Sequence, residues 1–273
     1  MNLSRRAVVA ARATAAMTLQ LGRATGRPDQ AVRFAALHLA RGNASTPLTW
    51  QGLNLSARRI DWPALQEVLI ENEYGALAPY LTAKRAPIVL DLGANIGTFA
   101  LFAFSRSPEA VIHSYEPSDS TYAVLAANAA SNPSLVWNTT RGAAWSDDGT
   151  ISFTNAEAST AGRVDEDGDE RVPALSLASI VAQCGGHIDI AKIDIEGAEE
   201  PLLANRSAEL SAIETVVVEL HPNRCDAPRV ARALCESFGQ VYRIPGRRSS
   251  KPLVLASRAA VTPDLPTYEV GDV

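Results

Sequence analysis

The sequence predicts an α/β fold: a doubly wound parallel sheet with helices on both faces, preceded by a helical extension. Three observations predict it. From Pro87 onward, short β-branched apolar runs alternate with apolar stretches of helical length. Glycine-containing turns follow two of those runs, around Gly93–Gly97 and at Gly197. A carboxylate, Glu116, ends the second run at roughly the twenty-residue distance from the first turn that a ribose-binding residue takes.

The elements follow in order. Residues 2–24 are Ala-rich and are interrupted by Arg12 and Arg23, which reads as an amphipathic helix, not a signal and not a membrane span. Ser4-Arg5-Arg6 lacks the uninterrupted apolar stretch that a twin-arginine leader needs. A second helix starts near Asp29 and stops at Gly42; a short extended piece, Leu48–Leu55, and a helical stretch from Trp62 through Asn72 to Thr82 come next. The sheet then reads as strand 87–92, helix 96–106, strand 110–116, helix 118–131 with Ser118 and Asp119 as caps, and strand 134–139. Asp147-Asp148-Gly149-Thr150 reads as a hairpin turn into Ile151-Ser152-Phe153, and residues 155–171 as a polar, acidic loop, either a solvated surface or a site for a cation or a basic substrate. A helix from Ser176 to Cys184 leads to the strand at Ile188, and Thr215–Asn223 carries the next one.

With 273 residues, 47% of them hydrophobic, the chain can bury one large core plus a helical appendage. A formal net charge of -5 argues against nucleic acid as a partner, and the small basic patches Arg5-Arg6 and Arg247-Arg248 read as solvated surface. Three cysteines, Cys184, Cys225 and Cys235, have neither metal-ligand nor disulfide-framework spacing and suit a reducing cytoplasm. Cys225 is the one near probable chemistry, as a reactive thiol or a spectator.

The turn Asp91-Leu92-Gly93-Ala94-Asn95-Ile96-Gly97 opens a helix at a strand's carboxyl end, where backbone N–H groups meet ligands in open α/β sheets. A dinucleotide site needs its middle glycine where this chain has Asn95, so a pyrophosphate is disfavoured. A cofactor with adenosine and no pyrophosphate fits better, S-adenosylmethionine (SAM) being the common one, with Glu116 accepting both ribose hydroxyls. Small residues in Arg141–Asp147, Ala144 among them, would border adenine, with Ser146 or Asp147 near its amino group. Glu71-Asn72-Glu73-Tyr74-Gly75 is either a cover for the methionine end, through Glu73 and Tyr74, or a solvated helix end.

In Ile188–Glu199, alternation puts Lys192, Asp194 and Glu196 on one face of an extended segment, and the next strand brings Glu219 and His221 to the same edge. These groups form either a catalytic set, with His221, Asp194 or Glu196 taking a proton from a hydroxyl, or a salt-bridge network with a capping histidine. Asp194 and Glu219, with His221 or Asn223 nearby, also offer oxygen-rich ligands for Mg²⁺ or a similar hard ion.

Together, Leu90–Phe99, Glu116-Pro117, Lys192-Ile-Asp-Ile-Glu-Gly-Ala-Glu199 and Val218–Pro222 resemble the FkbM family of SAM-dependent methyltransferases over residues 70–225. The resemblance implies a Rossmann-like class I methyltransferase sheet and methyl transfer to a hydroxyl of a small molecule, such as a secondary metabolite or a sugar. By position, Asp91, Gly93, Asn95, Gly97 and Glu116 would hold SAM, and Asp194, Glu196, Glu219 and His221 would face the acceptor. The chain departs from the family pattern at Ala178, where an acidic residue is usual. Residues 1–70 then form a helical cap or dimer contact, 71–260 the methyltransferase domain and 261–273 a tail. High Ala and Arg usage suits a GC-rich bacterial genome. The rival functions are an NAD-dependent oxidoreductase and a non-catalytic SAM-binding protein. The expected partners are a small hydroxylated acceptor and a second copy of the chain, with no nucleic acid and no membrane.

Overall fold

The computed structural model describes residues 3–40, 44–154, 162–164, 168, 170–245, 250–259 and 264–268. Two helices, α1 (Leu3–Thr25) and α2 (Pro28–Ala40), lead into β1 (Thr46–Trp50) and β2 (Leu53–Ala57). The extended piece expected at 48–55 is therefore a hairpin. Gln51 (φ 48) and Gly52 (φ 82) reverse the chain in left-handed backbone, as a two-residue hairpin requires. The helical stretch that follows is α3 (Trp62–Ala64), a π-helical continuation Leu65–Ile70, a 3₁₀ turn Gly75–Leu77 and α4 (Ala78–Ala83).

The elements expected from Pro87 onward are present: β3 (Ile88–Leu92), α5 (Thr98–Arg106), β4 (Val111–Glu116), α6 (Asp119–Ala130) and β5 (Val136–Arg141). Ser118 holds the N-cap position of α6, but its hydroxyl makes no capping bond. After β5 come β6 (Ala143–Trp145), β7 (Gly149–Thr154), β8 (Arg163–Val164), β9 (Glu170–Ser176), α7 (Leu177–Gln183), β10 (Ile188–Ile193), α8 (Glu199–Leu203), α9 (Ser207–Leu210), β11 (Ile213–Glu219), α10 (Ala227–Phe238), β12 (Val241–Arg243) and β13 (Leu253–Ser257).

The main sheet has seven strands in the order β12-β13-β11-β10-β3-β4-β5. β5, β4, β3, β10 and β11 run parallel, while β13 is antiparallel to both β11 and β12. The expected all-parallel sheet is thus mixed. After α10 the chain reaches the edge at β12 and folds straight back as β13, a return that needs no helical crossover. β3 sits at the switch point, because the chain leaves it first toward β4 and β5 and later resumes on its other side with β10.

A second sheet, in the order β6-β9-β7-β8, covers the end of the first. Its pairing corrects the expected hairpin at Asp147–Thr150: β6 and β7 are not neighbours, since β9 lies between them, parallel to one and antiparallel to the other. Asp148 instead accepts hydrogen bonds from the Ser176 backbone N–H (2.7 Å) and the Ser179 hydroxyl (2.6 Å) at the start of α7. The acidic residues Asp165, Glu166, Asp167 and Asp169 lie outside the described residues, as do Arg247-Arg248 and most of the 261–273 tail.

Apolar strands buried on both faces explain the layering. Along β3, Val89 belongs to the buried cluster that holds Phe99 and Phe102 of α5, whereas Leu90 belongs to the one that holds Ile180 of α7 and Leu234 of α10. Met17, Leu21 and Phe34 of the first two helices join the α5 side of that core. Among the described residues no helix is long and apolar enough to cross a membrane.

Candidate active site

The β3–α5 turn is built from left-handed backbone at Gly93 (φ 70), Asn95 (φ 52) and Gly97 (φ 91). A Cβ on Gly93 would lie 1.8 Å from the Asp194 carbonyl oxygen, so only glycine lets β3 and β10 meet here. Asparagine is among the residues that tolerate the left-handed region at Asn95. Its Oδ1 accepts the Ile96 N–H (2.7 Å), so a side chain sits where a pyrophosphate would approach the backbone.

Glu116, at the end of β4, accepts the Asn95 N–H at Oε2 (2.9 Å) and the Ser118 N–H at Oε1 (3.0 Å). It is buried, and burial raises its pKa to about 7 even though those two N–H groups pull it down. Gly93, Asn95, Glu116, Ala144, Asp194 and Glu196 line one cleft whose empty volume, including the part open to solvent, is about 830 Å³. Small-molecule sites commonly enclose roughly 300–1,000 Å³.

Other predicted cofactor residues do not line that cleft. Asp91 is fully buried, 3.4 Å from Lys192 Nζ, and accepts from the Ser114 hydroxyl (3.3 Å). Lys192 in turn donates to the carbonyls of Leu92 (3.0 Å) and Gly93 (2.7 Å), so Asp91 shapes the turn from beneath. Gly97 faces Trp137 and Leu125. Tyr74 is buried with its ring edge on Phe99 (centroids 5.0 Å apart), and the Glu73 N–H donates to the Glu67 carbonyl (3.1 Å). Ile60, Thr121, Phe153 and Val164 also line the cleft. They were missed because they come from separate elements with no motif around them.

The charged edge is compact, but it is not the extended stripe that alternation implied. β10 ends at Ile193, and Glu196 (φ 53) and Gly197 (φ 108) then turn the chain in left-handed backbone. Lys192 therefore points under the first turn, while Glu196 turns toward His221. The Nδ1–H of His221 donates to Glu199 Oε1 (2.8 Å), and Nε2 faces Glu196 Oε2 at 3.3 Å and both Asp194 Oδ1 and Glu219 Oε1 at 3.9 Å. Arg224 and Lys251 pair with Glu196 from the outside, Lys251 at 2.9 Å. Spacing along the chain does not place Glu199, Arg224 and Lys251 in this network.

Burial alone would lower the His221 pKa, but the neighbouring carboxylates of Glu196, Glu199 and Asp194 outweigh it and raise the value to about 10. Burial raises that of Glu196, and His221 and Lys251 overcome this to bring it down to about 2. At neutral pH His221 is thus a held cation, which differs from the expected proton acceptor. Asp194 Oδ1 accepts no hydrogen bond and belongs to a side chain that lines the cleft. The ligand atoms of Asp194, Glu219 and His221 lie within 4.8 Å of one another, a reach one hard cation can span. Lys251, 3.7 Å from Glu219, and Lys192, 3.9 Å from Asp194, already face those carboxylates. Cys225 is no reactive thiol: burial and the nearby Glu199 push it up to about 12.

Known proteins share this arrangement of sequence. The pattern of the methyltransferase FkbM domain matches residues 91–244, more than half of the chain. Over 160 residues the chain is 28% identical to the hexuronic acid methyltransferase AglP of Haloferax volcanii, covering 57% of this chain and 64% of that protein. Over 42 residues it is 48% identical to the 31-O-demethyl-FK506 methyltransferase FkbM of Streptomyces tacrolimicus, covering 15% of this chain and 16% of that one. The chain thus spans less than two thirds of either relative. A solved precorrin-6y C5,15-methyltransferase from Geobacter metallireducens aligns with a TM-score of 0.44 and 9% identity, over 69% of this chain and 87% of that one. Given the match from the Asp91 turn through β12, the chain belongs to the FkbM family of methyltransferases.

Proposed function

We propose that the chain is a SAM-dependent O-methyltransferase acting on a hydroxyl of a small molecule, a secondary metabolite or a sugar. The observation that carries this reading is Glu116. Its buried carboxylate is aimed by two backbone N–H groups, is raised to about 7, and faces a cleft whose floor is glycine; two ribose hydroxyls are the donors it lacks. Ala144 and Phe153 offer the flat, apolar wall that suits a base. The Streptomyces relative is named for a substrate lacking a methyl group on an oxygen, and the Haloferax relative for a hexuronic acid; both fit a hydroxylated acceptor.

Bound SAM would supply a methyl group on a sulfonium, open to in-line displacement. The chain's task is then to align the acceptor oxygen and take its proton, and alignment supplies much of the rate in such transfers. Asp194 is the residue suited to receive that proton, since its side chain lines the cleft and is 25% exposed. His221 would hold Glu196 and Asp194 in place as a cation, while Glu196 borders the acceptor side. A Mg²⁺ on Asp194, Glu219 and His221 would have to displace Lys251 and Lys192 from the same carboxylates, and this favours metal-independent turnover.

Asn95 weighs against the NAD-dependent alternative, because its side chain caps the Ile96 N–H that a pyrophosphate would need. The test is methyl transfer from labelled SAM to a panel of hydroxylated small molecules, with products located by mass spectrometry. Methyl ethers formed by the wild type and abolished in Asp194→Asn support the reading. Methylation at nitrogen or carbon alone, or transfer unaffected by the substitution, overturns it.

A further inference from the structure

Five large apolar side chains stand exposed among the described residues, and four of them, Val9, Leu19, Val32 and Leu39, belong to α1 and α2. On α1, Met17 and Leu21 face the core, while Val9, Arg12, Ala16, Leu19 and Arg23 are exposed and follow one another at steps of three or four residues. That spacing is one helix face, turned away from the protein. α2 repeats the pattern with exposed Val32, Ala36 and Leu39.

Charge separates in the same place. The α1 segment holds four arginines, Arg5, Arg6, Arg12 and Arg23, and no acidic residue. The chain as a whole carries -5, so the other 21 basic and 30 acidic residues carry -9. A cationic helix on an anionic protein calls for an anionic partner. A second copy does not meet that demand: parallel pairing sets Arg12 on Arg12 and Arg23 on Arg23, and antiparallel pairing still leaves the arginines without a carboxylate on the opposing helix. A nucleic-acid backbone would match the arginines but would leave Val9 and Leu19 without a use. A bilayer with anionic headgroups meets both, the arginines at the phosphates and the apolar residues at the edge of the acyl region.

We propose that α1 lies flat on an anionic lipid surface, with Arg12 and Arg23 against headgroups and Val9 and Leu19 dipping below them. This departs from the expectation that no membrane is a partner, and it is compatible with the lack of a spanning helix among the described residues, which concerns crossing and not lying on.

The test is co-sedimentation of the full chain with vesicles of phosphatidylcholine alone and of phosphatidylcholine with phosphatidylglycerol as a third of the lipid. Binding only to the anionic vesicles, weakened by salt, is expected. Each basic side chain near such a surface is worth roughly fivefold in partitioning, so Arg12→Gln with Arg23→Gln should lower it by more than about tenfold. Val9→Ser with Leu19→Ser should abolish the binding that survives high salt, and circular dichroism would confirm that both variants fold. Equal binding to both vesicles, no binding, or binding indifferent to the arginines overturns the proposal. So does a dimer broken by the Leu19 variant, or RNA bound in place of vesicles.

Discussion

Glu199→Gln tests the charge state of the edge. The wild-type His221 pKa of about 10, against an ordinary 6.5, arises inside a buried network in which Glu199 is fully enclosed and His221 is only 3% exposed. The folded protein holds this proton more tightly than the unfolded chain, so the stabilisation is complete below about pH 6.5 and is lost as pH rises through about 10. The interval of about 3.5 pH units, at about 1.4 kcal/mol each, bounds the effect at about 5 kcal/mol. Gln keeps the shape of Glu199 and an oxygen for the Gly197 N–H (3.1 Å) and for Nδ1–H, but removes the charge. Denaturant unfolding measured at several pH values should show wild-type stability falling steadily above pH 6.5. In Glu199→Gln the fall should begin at the same pH but end lower, and total about 2 kcal/mol less. Superimposable curves, or stability that rises between neutral pH and pH 10, would refute a charged His221.

Other substitutions probe the surrounding parts. Lys192→Met leaves the buried Asp91 carboxylate without its cation and should cost about 3–5 kcal/mol in unfolding free energy, mostly recovered by adding Asp91→Asn. Gly93→Ala forces a methyl group into the Asp194 carbonyl at a positive φ and should lose more than about 2 kcal/mol, with SAM binding weakened in parallel; a stable variant with normal affinity would contradict the packing. Asp194→Asn should lower kcat about 10²–10⁴-fold while leaving the SAM Kd within a few fold, read by steady-state kinetics beside calorimetry. Exhaustive chelation should leave turnover unchanged, and restoration by Mg²⁺ of activity lost to chelation would reinstate the cation at Asp194, Glu219 and His221.

The sheet was legible from Pro87 to Arg141 because each strand there is a short apolar run closed by a turn residue, and the observed strands and helices start within two residues of the expected bounds. Glycine spacing and the distance to Glu116 pointed, for the same local reason, to the cleft that Gly93, Asn95 and Glu116 line. What escaped was non-local. β9 enters between β6 and β7 through pairing that no neighbouring residue announces, and with it come the walls Phe153 and Val164. The chain beyond α10 carries no motif, so β12, β13 and Lys251 were not foreseen, although Lys251 reaches Glu196 across 55 positions of sequence. The charged edge was recognised by its residue types, yet its geometry depends on Glu196 leaving the extended conformation. Alternation cannot reveal that turn.

The most direct test of the account is calorimetric titration of SAM across neutral pH into the wild type and Glu116→Gln, with NAD as control. The ribose hydroxyls need an ionised acceptor, so wild-type affinity should rise as pH climbs through about 7 and then level off. Glu116→Gln should bind about thirtyfold more weakly, near 2 kcal/mol, with a flat pH profile, and NAD should not compete. Tight NAD binding, or SAM affinity indifferent to Glu116, would contradict the assignment of the cleft.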